Sequence, residues 1–165
     1  MNICQEHEFV DLGLPSGTLW ATCNVGARKP EDYGDYVEMD ERDKVTINSG
    51  DDCNVPSKEQ WEELIQNTKS TWMVRNGVKG RSFIARNGAS IFLPAAGFHW
   101  DYKSHLVGET GNYWSSSLFV DDPTGAWCLG FSSNNDDICL GYDAEYVGLS
   151  VRLVASAYKK RNSNP

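Results

Sequence analysis

Apolar and polar positions alternate in short runs along most of this chain, and one stretch carries a clear helical period. Val10, Leu12 and Leu14 alternate with Asp11 and Gly13, then Leu19, Ala21 and Cys23 alternate with Trp20 and Thr22. Residues 9–27 therefore read as two short strands around a Pro15-Ser16-Gly17 turn. In VPSKEQWEELIQNT, Trp61, Leu64 and Ile65 fall on one helical face, and Ser57 and Gln60 have capping-box spacing. Pro30-Glu31-Asp32 predicts another, shorter helix, because proline suits the first helical position and carboxylates suit the N-terminal dipole. Residues 40–54 are polar and turn-rich and read as a solvated loop.

Residues 71–98 read as a β-meander. Trp72–Val74 and Ser82–Ala85 flank a loop containing Asn76-Gly77 and Lys79-Gly80, and Asn87-Gly88 turns the chain into a strand from Ser90 to Leu93. His99–His105 follow as an aromatic loop. From Gly111 to Val154, strand-like runs (Tyr113–Ser117, Ala126–Phe131, Ile138–Leu140, Leu149–Val154) alternate with Gly-, Asp-, Asn- and Ser-rich connections. Leu149, Val151 and Leu153 alternate with Ser150 and Arg152, so the last run reads as a framing strand. Phe119 to Tyr146 mixes aromatics, carboxylates, amides and two cysteines without a period. The fold class is α+β, one domain over residues 9–157, with an N-terminal extension (1–8) and a polar tail (158–165).

Composition narrows the functional classes. Apolar residues make up 40% of the 165 residues and aromatics 12%, enough for a folded domain with its own core. A net charge of −8 makes nucleic acid and anionic membrane poor partners. No run reaches the roughly 18 apolar residues of a membrane span, and the N-terminus lacks signal-peptide character. Localisation is then cytoplasmic, or cell surface or phage particle where a leader or carrier is missing.

Candidate chemistry is sparse. Five cysteines without a CxxC pair argue against a metal knuckle and read as reduced, partly buried thiols; Cys128 and Cys139 lie on successive strands and could face each other. Asp40, Asp43, Asp51 and Asp52 lack the EF-hand spacing. His99, Asp101 and His105 lack ligand geometry, and Glu59, Glu62 and Glu63 read as solvated helix charges. No catalytic residue, metal site or cofactor is assigned.

The motifs FVDLGLPSGTLWATCNVGA, EDYGDY, VPSKEQWEELI, NGASIFLPAAGF, GNYWSSS and GLSVRLV occur in that order over residues 9–154. In combination they resemble the Fibrobacter succinogenes major paralogous domain of Bacteroidetes and Fibrobacter surface proteins. The resemblance implies a C-type-lectin-like fold in the formylglycine-generating-enzyme-like variant, with two helices and a twisted antiparallel sheet. It extends to the variable proteins of diversity-generating retroelements, in which adenine-directed mutagenesis rewrites AAC codons in a late segment. Substitution at those adenines cannot yield Lys, Glu, Gln, Met or Trp. Gly130–Ala144 contains none of these five types, although they make up 30 of the 165 residues. Chance gives such a window roughly one time in twenty. Trp127 and Glu145 cannot arise from that codon. The calcium-lectin motifs are missing, and nothing around Cys128 and Cys139 matches the copper-binding cysteine pair of formylglycine-generating enzymes.

The expected function is ligand binding, not catalysis, with a protein or glycan partner and an undefined oligomeric state. The expected contacts are Phe119, Asp121, Asp122, Trp127, Asn134, Asn135, Asp136, Asp137, Tyr142, Asp143 and Tyr146, a mixture of rigid aromatics and adaptable polar groups. The alternatives are an enzyme of the formylglycine-generating type and a structural subunit of a surface or phage-tail assembly.

Overall fold

The structure, a computed structural model, describes residues 3–49, 52–133 and 138–156. A short 3-10 turn (Ile3–Glu6) leads into β1 (Phe9–Asp11) and β2 (Thr18–Ala21), an antiparallel pair in which Val10 faces Trp20. Next come α1 (Met39–Ser49), β3 (Cys53–Asn54) and α2 (Lys58–Asn67). The meander is β4 (Thr68–Arg75), β5 (Val78–Ala85) and β6 (Ser90–Pro94). A small hairpin, β7 (Phe98–Trp100) and β8 (Lys103–His105), precedes β9 (Thr110–Leu118), β10 (Gly125–Ser132), β11 (Cys139–Ala144) and β12 (Val154–Ser156). The architecture is α+β: two helices and mostly antiparallel strands in several sheets, ordered β1-β2-β12-β3, β4-β5-β6, β7-β8 and β9-β10-β11.

Strand β9 divides the core. Its neighbours Tyr113 and Trp114 point to opposite faces, as strand geometry requires, and each lies in a separate apolar cluster. Tyr113 joins Trp20, Trp61, Phe83, Leu93 and Leu129. Trp114 joins Ala21, Val37, Leu149, Val151 and Leu153. Trp20, Trp61 and Trp114 are fully buried, and each such indole contributes about 4 kcal/mol of transfer free energy before ordering costs. Trp61 reaches the core from α2, stacks 4.7 Å from Trp20, and donates its indole N–H to the Trp114 carbonyl. The capping box read from Ser57 and Gln60 is present: the Ser57 hydroxyl accepts from the Gln60 amide, and the Gln60 side chain accepts from the Ser57 amide.

The structure corrects four local expectations. Residues 30–34 form turns, not a helix; Gly34 takes a φ of 71°, and Asn24 captures the Tyr33 carbonyl that a helix would use. Residues 40–49, read as a loop, belong to α1. Its inward stripe is Met39, Arg42 and Val45, and Arg42 occupies the middle place, donating to the Ser115 carbonyl at 2.9 Å and lying 5.9 Å over Trp114. An arginine in a core position erases the apolar period that a sequence reading needs. The Asn76-Gly77 pair is a tight turn with φ of 47° and 81°, so Lys79 and Gly80 lie inside β5, not in a loop. Finally, His99–His105 form most of the β7–β8 hairpin.

The closing run also differs. Leu149 bridges to Val37 and Ser150 to Tyr113, but the ladder strand β12 begins only at Val154. Ser150 and Arg152, expected to face out, are as buried as Leu149 and Val151. Arg152 donates to Asn24 Oδ1, the Ala21 carbonyl and the Phe92 carbonyl at 2.8–3.1 Å. Burial pulls its pKa down to about 10, so it remains a cation near neutral pH.

Cysteine usage departs from the all-reduced expectation. Cys4 and Cys53 form a disulfide with Cα atoms 5.8 Å apart, linking the N-terminal turn to β3. Cys23, Cys128 and Cys139 are free.

Candidate functional site

Strands β9 and β10 and the connection between them bring four of the expected contacts together. Trp127 and Tyr142 are direct partners across the β10–β11 ladder, so their rings share one face of the sheet. Phe119, just past β9, completes the cluster at 4.7 Å from the Trp127 ring and 5.0 Å from the Tyr142 ring. Gly125 makes room for this packing: a Cβ there would lie 2.1 Å from the Tyr142 ring. The Tyr142 hydroxyl donates to Asp122 Oδ2 at 2.9 Å, while the Thr124 hydroxyl and amide donate to Asp122 Oδ1.

Helix α2 supplies the cation of the cluster. Lys58 Nζ sits 3.9 Å over the Trp127 ring, a cation–π distance, and 3.7 Å from Glu62. The Lys58 amide donates to Ser117 Oγ, and the Ser116 amide to the Pro56 carbonyl, which ties the helix start to the end of β9. Sequence reasoning missed Lys58 and Thr124. A lysine at a helix start reads as a solvated charge, and only the tertiary fold places it over an indole.

Electrostatically the cluster is set. Hydrogen bonds from Thr124 and then Tyr142 hold the Asp122 carboxyl below its ordinary range. The same bond to Asp122 pushes the Tyr142 hydroxyl up. Asp122 is therefore ionised and Tyr142 protonated near neutrality. The cluster offers fixed charges, hydrogen bonds and apolar faces, not a group poised to shuttle protons. Around it lie the exposed side chains of Leu118 and Val120.

The remaining expected contacts are dispersed. Asp121 is exposed beside Asp122. Asp143 is paired with Ala126, so it shares the opposite face of the sheet, and burial raises its carboxyl pKa. Tyr146 projects from the turn after β11, toward the β7–β8 hairpin. Asn134, Asn135, Asp136 and Asp137 lie outside the described residues. The stretch 119–146 is also not uniformly superficial, because Ala126, Cys128, Leu129 and Phe131 belong to the core clusters.

Cys128 and Cys139 lie on neighbouring strands, on the same face, but Cys128 pairs with Gly141 and Cys139 with Gly130. They are therefore diagonal neighbours, and they are not bonded. Burial, reinforced by Asp143, pushes the Cys128 thiol up to about 12. Among the described residues no group of three His, Cys, Asp or Glu side chains is placed to hold a metal ion, and no helix is long and apolar enough to cross a membrane. Neither a family model, nor a curated protein, nor a solved structure matches this chain.

Proposed function

We propose that this chain is a ligand-binding display module with a C-type-lectin-like fold, acting as a variable protein of a diversity-generating retroelement. Its ligand is a protein or glycan, held at the cell surface or on a phage particle. The carrying observation is the Phe119–Trp127–Tyr142 cluster with Lys58 and Asp122: large rings, one cation and one carboxylate, built on a sheet whose opposite strand edge is anchored in the core. Rigid aromatics give contact area at low entropic cost, and flanking polar groups adapt to different ligands. The fold proposal draws support from the order of the sequence motifs and from the mixed α+β architecture with two helices. Diversification draws support from the residue types of Gly130–Ala144.

The test pairs Trp127→Ala with Tyr142→Ala and reads both melting temperature and capture on glycan and protein arrays. Capture should fall at least tenfold, the loss expected for an aromatic anchor, with melting changed by only a few degrees. Full capture by the double variant, or a chain that no longer folds, would move the function elsewhere. At the genomic level, the reading requires an imperfect repeat of codons 119–146, differing at adenines, close to a reverse-transcriptase gene.

A further inference from the structure

A second constellation lies at the β7–β8 hairpin. The two-residue turn is Asp101-Tyr102, with φ of 51° and 62°. Tight hairpin turns of this kind normally take Asn, Asp or Gly, and a bulky residue with positive φ is uncommon. Here it holds the Tyr102 ring 97% exposed. Trp100, at the end of β7, is 49% exposed, and Tyr146, from the turn after β11, is 61% exposed. The three rings, with His99, Glu38 and Asp101, line one recess of about 290 Å³.

The recess has a firm base. His99 and Gly148 exchange two backbone hydrogen bonds of 2.8 Å, Val37 and Leu149 exchange two more, and the Met39 amide donates to the Glu145 carbonyl. The three segments that carry the rings and carboxylates are thus sewn together through main chain. Tyr36 stacks on His99 from behind, at 5.8 Å. Both carboxylates, Glu38 and Asp101, are exposed. Lys103, opposite Trp100 in the ladder, does not line the recess.

Aromatic faces carry negative quadrupole potential and attract cations, most strongly those with weak hydration. Two carboxylates add charge of the right sign, on a chain whose net charge is −8. The volume is at the small end for ligand pockets, suited to a head group and not to a whole drug-sized molecule. A metal ion would ask for converging oxygens, whereas this recess is walled mainly by rings. We propose that it binds a quaternary ammonium group. The trimethylammonium head of choline has no N–H to satisfy and presents a cationic surface to all three rings. This assignment shares only Tyr146 with the display face proposed above and stands without it.

The experiment is a titration of the whole chain with choline chloride, followed by NMR shifts and calorimetry. The expected result is saturable binding near ~1 mM, a weak single-group affinity. The neutral isostere, with tert-butyl in place of trimethylammonium, should not bind. Trp100→Ala and Tyr102→Asn should each weaken choline at least tenfold; the second removes a solvent-exposed ring and suits the turn, so it keeps the fold. Trp127→Ala, outside the recess, should leave choline binding unchanged even if array capture is lost. Absence of saturation, equal binding of the neutral isostere, or full binding by Tyr102→Asn and Trp100→Ala would overturn the proposal. Phosphatidylcholine vesicles and a trimethyllysine peptide, run in parallel, identify the source of the head group by which one exceeds choline.

Discussion

His7 gives the residue scale its clearest pH signature. It is partly buried beside the Arg152 cation, and burial first, then that charge, lowers its pKa below the ordinary 6.5. The unfolded chain therefore takes the proton before the folded one. Stability is fully present above about 6.5 and falls as pH drops from there through the folded value. Melting temperature recorded from pH 7.5 to 5 should show this loss, and His7→Gln should remove its share of the slope; an unchanged slope would place the pH response in other groups. The contrast with Arg152 is instructive. Both are buried bases, but Arg152 stays charged because its ordinary pKa is high and three neutral oxygens accept its hydrogen bonds. Burial neutralises a histidine easily and an arginine hardly at all.

At the scale of elements, α2 is where sequence and structure agree most closely. Its start is fixed by the reciprocal Ser57–Gln60 bonds. Ser57→Ala should cost about 1 kcal/mol and lower the melting temperature by about 3 °C, as read by thermal unfolding. The same helix was legible because three apolar residues with period 3.6 follow a capping signal. The hairpin turn at Asn87-Gly88 was legible from its glycine chemistry, and so was the β1–β2 pair from alternation. Helix α1 was hidden, because its inward stripe contains Arg42, which a pattern of apolar residues cannot register. The run Leu149–Leu153 misled in the opposite way: its alternation is genuine, but both faces are buried, so Ser150 and Arg152 turn inward. The candidate cluster was half legible. The types of Phe119, Asp122, Trp127 and Tyr142 marked a binding face, whereas the meeting of Lys58 with Trp127 depends on residues 69 positions apart. Such a contact has no local signal.

For the whole molecule, the Cys4–Cys53 bond is the longest constraint the sequence did not disclose. It closes a loop of 49 residues in sequence separation that holds β1, β2 and α1. Spacing alone could not select this pair among five thiols. Chain-entropy reasoning gives the cross-link about 4 kcal/mol, so replacing Cys4 and Cys53 together by serine should lower melting by roughly 10 °C. A reductant should lower the parent protein similarly and leave the double variant untouched, measured by thermal unfolding. Should reductant affect both alike, the stabilisation lies elsewhere. The position of β12 carries a different consequence. This strand inserts between β2 and β3, and the run before it binds the backbone of Ala21, Val25 and Val37 and, through Arg152, that of Phe92. Every one of those partners leaves the ribosome earlier. The first strands must therefore wait, unpaired along one edge, until translation has passed them by more than a hundred residues. Folding is a late event in synthesis, with the high contact order that makes assembly slow and leaves nascent chains dependent on protection from aggregation.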